Sequence, residues 1–140
     1  MSNDTENRDR LGLEVLSSEE CWELVRSATI GRVAFVDAGG PIVLPVTHSV
    51  HGHTVIFRST SGTKLGVAER QRPLAFEVDG WDAEARTGWS VLVRGTGHTV
   101  LEDDRIGEFE AEAAVPWLDA AATGTWVQIL PYEVSGRRIT

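Results

Sequence analysis

The stretch that decides the fold reads IGRVAFV over residues 30–36, DAGGP over 37–41 and IVLPVT over 42–47. Its first and third segments are rich in the β-branched and aromatic residues that strands favour, and the glycines and proline between them are typical of a turn. The stretch therefore predicts a β-hairpin. Pro45 in the second arm indicates a sheet edge or a bulge, because proline cannot donate a ladder hydrogen bond.

Segments beyond the hairpin predict a mainly β protein. Alternating or β-rich runs predict further strands, at 54–58, 74–79, 89–97 and 125–134. Their hairpin-like spacing favours antiparallel pairing over the long helical crossovers of a doubly wound sheet. The expected fold class is an antiparallel β-barrel of six or seven strands with short flanking helices.

Three short helices are expected around the barrel. The first begins after Ser17, because Ser17 and Glu20 have the spacing of a capping box. The second covers about 65–70, and the third covers 103–114, where apolar residues recur at helical spacing.

The composition predicts one cytoplasmic domain that binds neither nucleic acid nor membrane. We assign the domain to residues 13–140 and expect the polar segment 1–12 to be a flexible tail. The net charge of −8 offers no basic surface to nucleic acid or anionic lipid. The single cysteine, Cys21, excludes an intramolecular disulfide framework, and no apolar segment is long enough for export or membrane spanning.

The loop after the third strand has the outline of a phosphate-binding site. It reads FRSTSGTK over 57–64, so hydroxyl side chains lie between two basic residues, Arg58 and Lys64, just before the predicted second helix. Amide N–H groups at a helix start, hydroxyl groups and cations together bind a dianionic phosphate. A plain capped turn has the same composition, so that alternative stays open.

Five motifs in order carry a resemblance to a known family. They are VAF at 33–35, PIVLPV at 41–46, IFRSTSGTKL at 56–65, FEVD at 76–79 and GWSVLVRG at 88–95. Together they resemble the pyridoxamine 5'-phosphate oxidase-like flavin-binding family, most closely its short actinobacterial and nitroimidazole-resistance-type branches. The resemblance implies a six-stranded antiparallel split β-barrel, a homodimer with two FMN molecules at the subunit interface, and an oxidoreductase acting on a small organic molecule.

The resemblance also implies which residues contact the cofactor. Five consecutive residues would run beside the isoalloxazine ring: Val43, Leu44, Pro45, Val46 and Thr47. Five others would contact the phosphate side: Arg58, Ser59, Thr60, Thr63 and Lys64. Ser90 would lie near the ring or the ribityl chain, and Arg137 would reach the flavin of the other subunit. No catalytic residue is assigned, because the flavin itself carries hydride and electron transfer.

Departures from the family pattern leave alternatives open. The vitamin-processing oxidases of the family have a longer C-terminal section that binds pyridoxal phosphate, so true pyridoxamine phosphate oxidase activity is not expected. Leu65 replaces a second basic residue after Lys64, and a deazaflavin coenzyme could occupy the same groove as FMN. A non-catalytic module that binds flavin or haem is the alternative from another class.

The histidines and the paired acids have simpler interpretations. His48, His51 and His53 are close in sequence, but no carboxylate or thiol completes a ligand set, so no metal is expected. His48 could donate a proton beside a flavin or serve as the axial ligand of a haem. Glu77 and Asp79 share one strand face and are expected on a solvated rim.

Two tryptophans flank the loop before the strand that the resemblance places near the flavin. Trp81 and Trp89 lie on either side of this loop. One of them could cover the ring, and packing in the core is an equal alternative.

Overall fold

Seven strands and two helices make up the part of the chain that the computed structural model describes, residues 8–59, 73–112 and 124–139. In chain order they are β1 (Glu14–Val15), α1 (Ser18–Ser27), β2 (Ile30–Asp37), β3 (Gly40–His51), β4 (Thr54–Ser59), β5 (Pro73–Asp82), β6 (Thr87–Val100), α2 (Asp103–Glu112) and β7 (Thr125–Ile139). The helix predicted at 65–70 lies outside the described residues. The prediction of a mainly β protein is confirmed.

Six of the strands form a closed antiparallel ring. Around the ring the order is β7, β4, β3, β2, β5 and β6, and the pairing of β6 with β7 closes it. The two-residue β1 lies along the end of β7, with Glu14 opposite Arg138 and Val15 opposite Arg137. The predicted six-stranded antiparallel barrel is therefore confirmed, and β1 is a small addition that the sequence did not reveal.

The barrel is split where β3 changes its partner. Residues 40–47 of β3 pair with β2, whereas His48 to His51 pair with β4. Beyond that ladder β4 continues through Arg58 and Ser59, which pair with β7. β3 and β4 therefore diverge, and the cleft between residues 43–47 and the end of β4 is here called the split.

Pro45 lies on the edge of β3 that borders the split, as predicted. It pairs with Arg32 of β2, and no second ladder partner for this position lies among the described residues. The amide of His48 donates to the carbonyl of Thr29 at 3.1 Å, on the β2 side. Because such bonds alternate along an antiparallel strand, the main-chain groups of Val43 and Pro45 point towards the split. Proline is tolerated here because it removes no ladder hydrogen bond.

Alternate side chains of the strands fill the ring, and α1 packs against this core. Its predicted capping box is present: the Ser17 hydroxyl accepts from the Glu20 amide, and the Glu20 carboxylate accepts from the Ser17 amide, both at 3.1 Å. Buried Cys21, Trp22 and Val25 then join the barrel core. Each large apolar side chain buried in this way stabilises the fold by about 1.5–3 kcal/mol. Packing of this face therefore holds a helix too short to persist alone.

The second helix packs outside the ring. Phe109 of α2 lies in a separate buried cluster with Ile56 of β4, Val100 of β6 and Trp126 of β7. The rings of Phe109 and Trp126 meet edge to face, with centroids 5.7 Å apart. α2 therefore covers the outer surface of the barrel next to the end of β4, where the predicted phosphate loop begins.

A bulge in β7 bends the strand near its middle. Arg94 pairs with Glu133 and Gly95 pairs with Pro131, so Tyr132 is an extra residue on the β7 side. A Cβ atom on Gly95 would collide with the main chain of β7, which explains the glycine at this position. A bulge increases the local twist and helps a ladder of this length to close a small barrel.

Candidate functional site

The five cofactor residues predicted on β3 divide between two faces. The side chains of Val43, Pro45 and Thr47 lie on the outer side of the barrel, and Val43 is largely exposed. Leu44 and Val46 point inwards and pack against the core. The outer side chains and the main chain of β3 therefore border the split, while Leu44 and Val46 hold the strand in place.

Arg58 and Ser59 lie at the far end of β4, where it leaves β3. The Arg58 Nε donates to the Gly124 carbonyl at 3.0 Å, and its guanidinium lies 5.3 Å from the ring centroid of Trp126. Its Nη2 also lies 3.7 Å from the carboxylate of Glu110 on α2. These contacts hold a cation at the polar end of the split. Thr60, Thr63 and Lys64 lie outside the described residues.

Ser90 and Arg137 are brought together as direct cross-strand partners on β6 and β7. Both line a groove of about 180 Å³ with Leu13, Trp81 and Ile139 among its walls. We call it the Trp81 groove. Ser90 on β6 is three strands from β3 in either direction around the ring, and Arg137 lies 11 residues along β7 from Trp126, which pairs with Arg58. The predicted cofactor residues therefore form two separate groups in one subunit.

The segment before β1 fixes the orientation of Arg137. The Arg137 Nε donates to the Asp9 carboxylate at 3.1 Å, and its Nη1 donates to the Gly136 carbonyl at 2.9 Å. Although partial burial opposes it, hydrogen bonds from the amides of Leu13 and Leu11 and the contact with Arg137 lower the pKa of Asp9. Asp9 falls in the segment 1–12 expected to be flexible, and its partner is 128 positions away, so no local sequence signal could reveal this pair.

A second, larger groove of about 580 Å³ lies on the outer side between the β2–β3 hairpin, β5 and the bulge of β7. Its lining is mostly apolar and includes Ala34, Val36, Val43 and Ala75, with Tyr132 at its border. Val36 is 62% exposed, although it lies within a strand. We call this surface the apolar outer face, because so many uncovered apolar side chains on one side of a sheet are typical of a contact surface.

A charged cluster lies on the same outer surface, next to the apolar outer face. The Nη1 of Arg32 donates to Glu77 at 3.0 Å and to Asp79 at 2.9 Å. Burial and the neighbouring Asp79 raise the pKa of Glu77 to about 7, against the opposing effect of Arg32. Glu77 and Asp79 do share one face, as expected, but Glu77 is partly buried rather than fully solvated.

The structure contradicts both roles that the sequence left open for His48. Its ring is 3% exposed, its Nε2 lies 2.8 Å from the Val25 carbonyl, and it meets the ring of Phe76 edge to face. Burial lowers the pKa of His48, against the opposing effect of the Val25 carbonyl, and so favours the uncharged ring. A proton donor or haem ligand must be accessible. His48 lies two residues from Val46 and two from Val50. Side chains two apart on a strand point to the same face, so the periodicity of β3 predicts that His48 points inwards.

The two other histidines of the turn contact different aromatic residues. His53 stacks on Trp22 with ring centroids 5.4 Å apart, and His51 contacts Phe109 edge to face. Within the described ranges, no three histidine, cysteine or acidic side chains come together as a metal-binding group. None of the described helices is both long enough and apolar enough to cross a membrane.

Comparison with known proteins gives consistent results over nearly the whole chain. The family model described as pyridoxamine 5'-phosphate oxidase matches residues 17–138. The protein Rv0080 of Mycobacterium tuberculosis is 35% identical over 129 residues, which cover 89% of this chain and 84% of that protein.

Solved structures agree with the sequence matches. The structure of the FAD binding protein from Mycobacterium smegmatis superimposes with a TM-score of 0.74 at 34% identity, covering 90% of this chain and 99% of that one. A conserved protein of unknown function from Corynebacterium diphtheriae also gives a TM-score of 0.74, at 26% identity, covering 91% and 98%. With the closed ring, the split and the family match in agreement, the chain belongs to the pyridoxamine 5'-phosphate oxidase family.

Proposed function

We propose that this protein is a homodimeric, cytoplasmic oxidoreductase that binds a flavin nucleotide in the split and acts on a small organic molecule. The observation that carries the proposal is the split itself. An apolar strand edge at Val43 and Pro45 borders it on one side, and a fixed cation, Arg58, lies at its polar end. A flavin nucleotide has the same polarity, with a planar ring at one end and a phosphate at the other.

The chemistry of these groups suits such a ligand. The main chain of Val43 can exchange hydrogen bonds with the polar edge of the ring, and Pro45 offers an apolar surface to its face. Arg58 and Ser59 would bind the phosphate side, together with Thr60, Thr63 and Lys64 of the adjoining segment. The bound flavin would supply hydride or electron transfer, while these side chains bind and orient it.

Two subunits are needed to complete the site in this proposal. Ser90 lies on β6, three strands from β3, and Arg137 lies on β7 11 residues beyond Trp126, the partner of Arg58, which is roughly 36 Å at about 3.3 Å per residue. A twofold-related partner can bring its own Ser90 and Arg137 to this split, because an isologous contact uses the same surface twice. The apolar outer face supports this arrangement, since a partner would cover Val36 and Val43.

FMN is the cofactor implied by the resemblance, and FAD is the second candidate. The Mycobacterium smegmatis relative that is 34% identical is an FAD binding protein, and this favours FAD. Both nucleotides share the ring, the ribityl chain and the first phosphate, so the split can serve either. A deazaflavin coenzyme has the same ring shape and is the third ligand to test.

The first experiment is to purify the protein, record its visible spectrum and titrate the apoprotein with FMN, FAD and a deazaflavin in parallel. We expect a flavin spectrum or saturable binding of at least one of the three. A protein that binds none of them would refute the proposal. If a bound flavin is reduced by neither NADH, NADPH nor reduced deazaflavin, the protein is a flavin-binding module without turnover.

The second experiment tests the polar end of the split. The double variant Arg58→Glu/Lys64→Glu should bind flavin at least tenfold more weakly, because the two side chains proposed to contact the phosphate change from positive to negative charge. Arg26→Glu reverses an exposed arginine on α1 and is the matched control. Since Arg58 also packs on Trp126, the single variant Lys64→Glu and a circular dichroism spectrum separate loss of binding from loss of fold. Unchanged affinity in folded variants would contradict the assignment of the phosphate to this end.

A further inference from the structure

Flavin binding in the split does not explain why the side chain of Trp81 is exposed in the Trp81 groove. Trp81 is 62% exposed although it lies within β5. Its indole ring covers Gly88 on the neighbouring strand, where a Cβ atom would lie 2.6 Å from the Trp81 Cε3. Gly88 thus lets the indole lie close against the sheet, and a large aromatic surface remains uncovered in the subunit.

The surroundings of this indole combine an aromatic surface with an oriented cation. Arg137, held by Asp9 and by the Gly136 carbonyl, lines the same groove, and the Ser90 hydroxyl is next to it in the ladder. Aromatic rings stack on nucleic-acid bases, and a guanidinium binds phosphate oxygens. The net charge of the chain is −8, so a cation fixed in the groove is the feature that would attract an anion there, and Asp9 offsets part of its charge.

We propose that the Trp81 groove binds the adenylate half of FAD, with the purine stacked on Trp81 and the pyrophosphate next to Arg137. The inference rests on the proposed function, in which the split of the partner subunit holds the flavin half. FMN has no group to place on Trp81. FAD adds a planar purine and a second phosphate, which are the two groups that this groove complements. Trp81 is then the residue that selects the dinucleotide over the mononucleotide.

The test compares the two flavins on the wild type and three variants of the whole 140-residue chain. Apoprotein of the wild type, Trp81→Ala, Trp81→Phe and Leu101→Ala is titrated with FAD and with FMN, and light scattering gives the oligomeric state of each. Leu101 is 74% exposed and lies beyond the opposite end of β6, so it is the control for loss of an exposed apolar side chain.

We expect the wild type to bind FAD more tightly than FMN. Trp81→Ala should weaken FAD binding by about fivefold to a hundredfold, the range measured for loss of a stacked base, and change FMN binding less than about threefold. Trp81→Phe should retain most of the FAD affinity, because it keeps an aromatic face. Leu101→Ala should match the wild type with both flavins.

Two results would overturn the inference while the proposed function stands. One is a wild type that binds FAD no more tightly than FMN. The other is a Trp81→Ala variant that loses both flavins equally or becomes monomeric, which would make Trp81 a subunit contact. A wild type that binds neither flavin would overturn the inference and the proposed function together.

Discussion

At the scale of single residues, the outer surface contains one cation shared by two carboxylates. Arg32 contacts both Glu77 and Asp79 through the same Nη1 atom, so one negative charge is left without a full counter-charge. Burial of the Glu77 carboxyl, and after it the hydrogen bond and the repulsion from Asp79, raise the pKa of Glu77 to about 7 although Arg32 opposes the shift. The cluster is therefore least repulsive when Glu77 is protonated.

The cluster predicts a pH-dependent effect of Glu77→Gln. The folded state raises the pKa of Glu77 from 4.5 to about 7, so its contribution to stability is fully present below pH 4.5 and is lost as the pH rises through 7. Glutamine imitates the protonated acid. The stability of Glu77→Gln relative to the wild type should therefore increase by about 1–2 kcal/mol between pH 4.5 and pH 8, a value reduced because the side chain is 35% exposed.

Urea unfolding at the two pH values, at one protein concentration, measures this difference. Glu133→Gln is the matched control, because Glu133 pairs one to one with Arg94 on the same surface. This control shows how much of the change in stability follows from the loss of any carboxylate on this surface. A stability difference for Glu77→Gln that is constant with pH would contradict the raised pKa of Glu77.

At the scale of elements, the β6–β7 ladder depends on one glycine. Gly95 lies opposite the bulge, where a side chain would meet the β7 main chain. We expect Gly95→Ala to destabilise the protein by about 2–4 kcal/mol, since neither strand can move without breaking the ring closure. Gly107→Ala on exposed α2, where the added Cβ meets nothing within 4 Å, should instead stabilise it by about 0.5–1 kcal/mol.

Thermal and urea unfolding should show that the free energy of unfolding falls in Gly95→Ala and rises in Gly107→Ala. A Gly95→Ala variant as stable as the wild type would show that the bulge can shift its register. A destabilised Gly107→Ala variant would show that the exposed face of α2 is constrained by something beyond its own turn.

The elements also show what the sequence could and could not predict. Ser17 and Glu20 fixed the start of α1 because a capping box is a local signal. The predicted last strand ended at 134, but β7 runs to Ile139. Its final residues include Ser135 and Gly136, which favour strands weakly and are held by pairing with β6. Such pairing is set by distant residues, so no local pattern contains it.

The candidate site was predictable to a similar degree. Resemblance named Ser90 and Arg137 separately, and the structure places them as direct partners on adjacent strands. It named Val43 to Thr47 as one group, whereas the alternation of β3 turns two of the five inwards. The roles considered for His48 rested on the chemistry of its imidazole and left aside the two-residue periodicity of β3, which turns the side chain inwards. Asp9 had no signal, because its contact with Arg137 joins opposite ends of the described chain.

At the scale of the whole molecule, the apolar outer face predicts the oligomeric state. Val36→Asp introduces a charge at the centre of the proposed interface, so we expect a monomer by light scattering and flavin binding weakened at least tenfold. Val36 is not among the cofactor residues, so the loss of binding would follow from the loss of the partner. Leu101→Asp should remain dimeric and bind flavin normally.

Mixed dimers give a direct test of the shared site. Arg58→Glu/Lys64→Glu damages the split, and Arg137→Ala damages the groove that a partner would present to it. Each variant alone should bind flavin weakly, whereas a refolded mixture should regain one intact site per mixed dimer. No recovery in the mixture, with both variants dimeric, would place all the contacts within one subunit.

The closing strand of the ring has a consequence for synthesis. β7 pairs with β1, β4 and β6, so the edges of three strands synthesised earlier stay uncovered until residues 125–139 have been added. While the ribosome is still adding the segment before β7, those edges are templates for pairing with other chains. The barrel can therefore close only after translation has passed β7, and the nascent chain is most prone to aggregate just before that moment.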